Sequence, residues 1–258
     1  MQTSLDSPRL PDPASDGAFR RELAQAAAER YRSSGRFAWH FARGKLAGDP
    51  LFADLLRHGQ LPPRARFLDL GCGQAVLASW LLAARERFAR GGWPAHWPEP
   101  PELLSLTGYE LMPADVERAR LPFADEARVR IEQADICRQA YASADVVTLL
   151  DVLHYFDFAR QDDVLRRVWA ALPPGGVFVT RVGDAAAGWR FGLSLWVDRV
   201  VTFVRGHGWS RMYTRPLADW TRALQAAGFE VRPPLPSVEG PPFANVMLVC
   251  RKPVGAAA

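Results

Sequence analysis

The residues best placed to do chemistry are a pair of glycines, a few acids and one histidine. Asp69-Leu70-Gly71-Cys72-Gly73 closes an apolar run and precedes a helical stretch. Gly71 and Gly73 let the backbone pass close beneath a ligand, while Asp69 fixes the turn and attracts a cation. Glu110 ends a second β-prone run and can accept two hydrogen bonds; Asp135 follows a third. The alternatives are a tight turn without a ligand and solvated surface acids. His154 lies in Leu150-Asp151-Val152-Leu153-His154-Tyr155-Phe156, just past a fourth run, where it is either a general base or a structural side chain. Asp151 either contacts a ligand's amino group or caps the turn. Cys72, with no base beside it in sequence, reads as a small loop filler rather than a reactive thiol.

These residues need strands to carry them. From Ala65 onward, strand and helix signals alternate, the signature of a doubly wound parallel sheet. Strands are expected at Arg66–Leu70, Leu104–Glu110, Val129–Gln133, Asp145–Leu150 and Val177–Val182, with helices at Ala75–Phe88, Ala114–Ala119 and Gln161–Leu172. Pro173-Pro174-Gly175-Gly176 stops the last of these helices. A helix over Pro216–Ala227 ends at Gly228, and Phe229–Val231 and Asn245–Arg251 then read as an antiparallel pair. Ahead of the sheet, Arg20–Tyr31 and Pro50–His58 look like two helices joined through Gly35, Gly44 and Gly48, a helical cap over residues 18–60. Residues 1–17 read as a flexible lead-in, and 18–258 as one domain. Two insertions stand out, Glu86–Pro101 and Gly183–Arg215. In the second, Leu193, Trp196, Val197, Val200, Val201 and Val204 recur at helical spacing beside Arg190, Arg199, Arg205 and Arg211.

A glycine turn after a first strand serves both dinucleotides and other nucleosides. A dinucleotide fingerprint needs its third glycine at position 76, which is Val76, and Asp69 would repel a pyrophosphate. Phe67-Leu68-Asp69-Leu70-Gly71-Cys72-Gly73-Gln74-Ala75 resembles motif I of the class I S-adenosylmethionine-dependent methyltransferases, with Ala75 where that family has a third glycine. Gly108-Tyr109-Glu110-Leu111 and Gln133-Ala134-Asp135-Ile136 are similar to the family's segments after strands two and three. The resemblance spans Ala65 to Arg251. It implies a Rossmann-like methyltransferase fold, a seven-stranded sheet of order 3-2-1-4-5-7-6 with the last strand antiparallel. It also implies an S-adenosyl-L-methionine site of Asp69, Gly71, Cys72, Gly73, Glu110 (ribose hydroxyls), Leu111, Asp135 (adenine amino group), Ile136 (ring nitrogen) and Asp151. The stretch from Leu153 to Gly176 resembles small-molecule O-methyltransferases, whose base occupies the place of His154, although Tyr155-Phe156-Asp157 replaces their usual Asp-Trp pair. Lys45 or Arg43 would pair with the cofactor's carboxylate, or form a solvated basic turn.

Composition narrows the partners. The 258 residues carry a net charge of +4 without any Lys/Arg block, so nucleic acid is not expected. Cys72, Cys137 and Cys250 form no CxxC pair, and His40, His58, His96 and His207 lack metal-ligand spacing, so neither disulfide nor metal is expected. The first residues show no secretory pattern, and Phe191–Val204, the longest apolar candidate, contains Asp198 and Arg199, so a cytoplasmic protein without a membrane span is expected. The acceptor is expected to be a small molecule. Trp39, Phe41, Trp189, Phe191, Trp196, Trp209 and Tyr213 would line an aromatic or acyl pocket or belong to the core, and the surrounding arginines would steer an acidic carrier protein or simply be solvated. Gly35-Arg36-Phe37, Arg43-Gly44-Lys45-Leu46 and Arg205-Gly206-His207-Gly208 faintly resemble methyltransferases associated with bacterial aryl-polyene synthesis, which implies a hydroxylated aromatic ring as acceptor. Two other classes compete: an inactive S-adenosylmethionine-binding relative and an NAD(P)-dependent oxidoreductase.

Overall fold

The apolar runs separated by helices fold into one parallel sheet with a single reversed strand near its end. A computed structural model of the chain describes residues 13–185, 212–234 and 245–255. Strands β1 (Arg64–Leu70), β2 (Glu102–Glu110), β3 (Val129–Gln133), β4 (Val146–Leu150), β5 (Val177–Gly183), β6 (Glu230–Val231) and β7 (Asn245–Arg251) stand in the order β3-β2-β1-β4-β5-β7-β6. β5 and β6 both pair antiparallel with β7, and the other pairings are parallel. β4 and the start of β5 are buried on both faces, which is why they read as continuous Val/Leu/Phe runs rather than alternating ones.

Helices cover both faces. On one side α1 (Pro13–Glu29), α2 (Arg36–Gly48), α3 (Leu51–Arg57), α4 (Val76–Ala89) and α5 (Pro113–Arg120) share a core with Ala65 and Phe67 of β1. On the other, α6 (Phe158–Ala171) and α7 (Leu217–Ala226) pack on Leu68 and Leu70, the alternate residues of the same strand. The cap helices are held to α4 by polar ties as well as by burial. Ser79 Oγ donates to the Ala27 carbonyl at 2.6 Å, and Trp80 Nε1 donates to that of Phe52 at 2.8 Å. Both Ser79 and Trp80 are fully buried.

Three expectations are corrected here. The first helix starts at Pro13 rather than near Arg20. Asp16 accepts from Trp97 Nε1 at 3.3 Å and meets His96 Nε2 at 2.8 Å, which ties that end of the helix to the Glu86–Pro101 insertion. Second, Gly44 and Gly48 are not joints. Both lie inside α2, whose apolar face buries Ala38, Ala42 and Leu46 at helical spacing and outweighs the glycines' low propensity. Third, α6 begins at Phe158 rather than Gln161, because Asp157 caps it by accepting from the Arg160 amide at 2.9 Å. The helical pattern expected within Gly183–Arg215 falls on residues 186–211, outside the described residues, together with Trp189, Phe191, Trp196 and Trp209.

Candidate cofactor and methyl-transfer site

The tips of β3, β2 and β1 lie side by side, since Glu110 is opposite Gln133 and Leu70 opposite Tyr109 in the parallel register. That arrangement brings the acids at three strand ends onto one edge. Gly71 and Gly73 take positive φ angles of 71° and 56°, which a side chain would oppose. A Cβ on Gly71 would come within 2.6 Å of Val152 Cγ2, so the turn is seated against the loop that leads from β4 to His154. Ala75, in place of a glycine, also adopts a left-handed conformation, φ 55°.

Four amides of this turn are already committed. Gly71 and Cys72 both donate to the Tyr109 carbonyl, at 2.8 and 3.0 Å, and Ala75 donates to that of Cys72 at 2.8 Å. The Gly73 amide donates to Glu110 Oε2 at 2.9 Å. A pyrophosphate needs such N–H groups free and pointing at it. This turn is lined instead by carboxylates, which suits a ligand carrying positive charge. Glu110 is held by two amides, since Met112 N donates to Oε1 at 2.9 Å, and each oxygen retains a lone pair for a ribose hydroxyl.

Asp69 is buried at 4% exposure, and its Oδ1 accepts from Thr148 Oγ1 of β4 at 2.7 Å. Burial pushes its carboxyl up to about 6; the Thr148 hydrogen bond opposes the shift and the negative Glu110 adds to it. The Cys72 thiol is raised by burial and packs where Gly108 leaves room, 2.7 Å from where a Cβ of Gly108 would lie, so it fills the loop. Asp135 forms the turn after β3: Oδ1 accepts from the Cys137 amide at 2.9 Å, and Arg138 lies 3.5 Å from Oδ2. Ile136 is buried, with its carbonyl held by Tyr141 and Arg167. Leu111, beside Glu110, is 54% exposed.

On the other side of β1, Asp151 follows β4 with φ 59° and leads into a short 3-10 helix, Leu153–Tyr155, that carries His154. His154 is 9% exposed and its Nε2 has no hydrogen-bond partner among the described residues. Burial lowers its pKa below the usual histidine value; Asp151 opposes that shift and Arg181 reinforces it. Lys45 reaches toward the same corner, 2.8 Å from Asp49 and 3.6 Å from Asp151, whereas Arg43 stacks on Trp39. Tyr213 sits here too, its amide donating to the His154 carbonyl at 2.9 Å and its ring packing on Phe158. Trp39 and Phe41 are half-buried on α2, Phe41 stacked on the exposed Phe37.

Sequence reasoning missed three features. Tyr31, fully buried, donates its hydroxyl to the Gln74 carbonyl at 2.7 Å and so ties the cap to the glycine turn. Gln161 Nε2 holds the carbonyls of Leu153, Phe156 and Tyr213, bracing the His154 helix. Arg181, Asp49 and Asp151 form an ion-pair cluster. A signal existed for the last in the i,i+4 spacing of Lys45 and Asp49. For Tyr31→Phe, loss of one buried hydrogen bond is expected to cost about 1 kcal/mol of stability and to loosen cofactor binding several-fold. Paired denaturant melts and cofactor titrations check this, and an unchanged affinity would separate the tie from the site.

Residues 38–233 match the family model described as a methyltransferase domain. The chain is 33% identical over 118 residues to carboxy-S-adenosyl-L-methionine synthase of Chromohalobacter salexigens, covering 45% of this chain and 38% of that protein. It is 29% identical over 157 residues to the protein of the same name from Aeromonas hydrophila, covering 58% of this chain and 55% of that one. The chain thus spans less than two thirds of the length of these two relatives. Among solved structures, human N-acetylserotonin methyltransferase in complex with SAM superposes with a TM-score of 0.57 at 18% identity, covering 92% of this chain and 67% of that one, a likeness of fold. The family match runs from within α2 to just past β6, and the chain belongs to the methyltransferase-domain family.

Proposed function

We propose that the chain methylates a small acceptor with an acidic O–H or C–H, a hydroxylated aromatic or acyl-type metabolite, free or borne on an acidic carrier protein, with His154 as the base. The observation that carries this reading is the His154 imidazole: buried, its pKa lowered by that burial, with Nε2 unpartnered among the described residues, on a loop that packs against the glycine turn. The bound cofactor supplies an electrophilic methyl group on a sulfonium. The chain's own residues position and prepare the acceptor. Glu110 and Asp135 hold the nucleoside end, Asp69 offsets the positive charge, and His154 Nε2 takes the acceptor's proton as its oxygen or carbon becomes the nucleophile. Aromatic rings near this corner, Tyr155 and Tyr213, suit a flat acceptor.

The curated relatives are named for a carboxylated cofactor. A carboxylate beside the sulfonium calls for a cation with charge to spare. Arg181 at this corner is already balanced by Asp49 and Asp151, and this favours plain methyl transfer.

His154→Ala is expected to slow transfer about a hundredfold or more while cofactor affinity changes by less than about threefold. The wild-type rate should already be at its plateau at pH 7 and fall only below the ordinary histidine range, since the imidazole must be neutral to act. Labelled cofactor with free and carrier-bound hydroxybenzoyl acceptors tests both points. Transfer to neither acceptor would reject the substrate class, and undiminished turnover of the variant would reject the base.

A further inference from the structure

Arg181 lies on β5, two strands from the glycine turn, yet its side chain joins the cap to the base loop. It is only 11% exposed. Nη1 meets Asp49 Oδ1 at 2.6 Å, Nε donates to Asp151 Oδ1 at 2.6 Å, and Nη2 pairs with Asp151 Oδ2. Asp151 is therefore gripped through both oxygens by a planar fork, a geometry that lysine cannot reproduce. Asp49 is the residue immediately after α2, and Lys45 of that helix bridges it to Asp151.

We propose that Arg181 is a positioning residue: by clamping Asp151 to Asp49 it sets, as one unit, the orientation of the His154 imidazole and the seat of the cap over the strand tips. The proposal rests on the reading of His154 as the base. Asp151 is one of two non-glycine residues with positive φ among those described, a strained conformation that persists only where its surroundings enforce it. That backbone corner directs the chain from β4 into the helix bearing His154, three residues on, while Val152 between them seats the glycine turn. A shift of Asp151 thus moves both the base and the floor of the cofactor site. Among the described residues, the charged groups at this corner are Asp151, Arg181 from β5, and Lys45 and Asp49 from the cap; the Tyr155 ring lies 4.2 Å from the imidazole, centroid to centroid. Two cations face two anions. A cluster serving only to hold the cap would affect stability but not the imidazole.

The test uses the full chain and S-adenosylhomocysteine as probe. The His154 Cε1–Hε1 NMR signal, assigned by its loss in His154→Gln, is followed through a pH titration in wild type, Arg181→Lys and Asp49→Asn. Arg181→Lys keeps the charge but loses the fork, and it is expected to displace the signal and move its midpoint by about half a pH unit. Asp49→Asn acts from the cap. It is expected to move the same signal and to weaken S-adenosylhomocysteine binding about threefold, coupling the two ends of the cluster. Signals unchanged in both variants, with only a lower melting temperature, overturn the proposal. Should Arg181→Lys fail to fold, Asp49→Asn decides alone. The signal is read whatever His154 does in turnover, so this failure stays distinct from failure of the base reading, which the activity of His154→Ala decides.

Discussion

Glu110→Ala is expected to weaken S-adenosylmethionine binding by about a hundredfold or more while leaving the fold intact. In the proposed site, two effects add. The carboxylate can receive both ribose hydroxyls, and hydrogen bonds to a charged acceptor contribute about 1.5–3 kcal/mol each. The same carboxylate also organises the turn, because its oxygens accept from the amides of Gly73 and Met112. Removing it leaves those two donors to water and lets the loop after β1 relax. Glu110→Gln keeps one acceptor oxygen and should fall between wild type and alanine. Calorimetric titration of the cofactor into the three proteins, with a melt of each, checks the order. Equal affinities would mean that Glu110 serves the turn alone.

Asp69→Asn should act in opposite directions on stability and binding. The folded carboxyl titrates near 6, above its ordinary value, so the folded state holds its proton more tightly than the unfolded chain does. Its contribution to stability is therefore fully present below about pH 4 and is lost as pH rises through about 6. Above that, the ionised, buried group costs on the order of 3 kcal/mol, an upper bound because the site relaxes. Asparagine removes the charge and can still accept from Thr148 Oγ1. Above pH 7 the ligand-free variant should be the more stable protein, by about 1–3 kcal/mol in denaturant melts. Binding a cationic ligand is what the charge is proposed to serve. Wild-type affinity should rise from pH 5 to 7 as Asp69 ionises, and the variant should bind about tenfold more weakly at pH 7.5 with a flat pH dependence. A variant that binds like wild type would reduce Asp69 to a tie between β1 and β4.

Most strands and helices were legible from their residue patterns, the apolar runs of β4 and β5 above all, whereas the strand order came with the family resemblance. Asp145–Leu150 and Val177–Val182 read as strands since β4 and the start of β5 are buried on both faces. The cap was less legible. Gly44 and Gly48 argue locally against a helix, and only tertiary burial of Ala38, Ala42 and Leu46 keeps α2 continuous. For the site, residue types at strand ends named the acids, but the roles of their surroundings depend on pairings far apart in sequence. The commitment of the Gly71 and Cys72 amides to Tyr109, across 38 and 37 positions, is visible only once β1 and β2 align. Arg181 and Asp49 are separated by 132 positions, and the i,i+4 spacing of Lys45 and Asp49 announces an ion pair on α2 but not its partner on β5. Conversely, Cys72 was readable as filler because no base adjoins it in sequence, and the structure packs its thiol where Gly108 leaves room.

In the proposed site the glycine turn, four of its amides spent internally and its rim acidic, receives a cationic nucleoside rather than a pyrophosphate. Calorimetric titration of the purified chain with S-adenosylmethionine and, separately, with NADH and NADPH tests it most directly. Saturable one-to-one binding of S-adenosylmethionine, abolished or greatly weakened in Glu110→Ala, is expected, with no heat from either dinucleotide. Binding of a dinucleotide with no response to S-adenosylmethionine would contradict it.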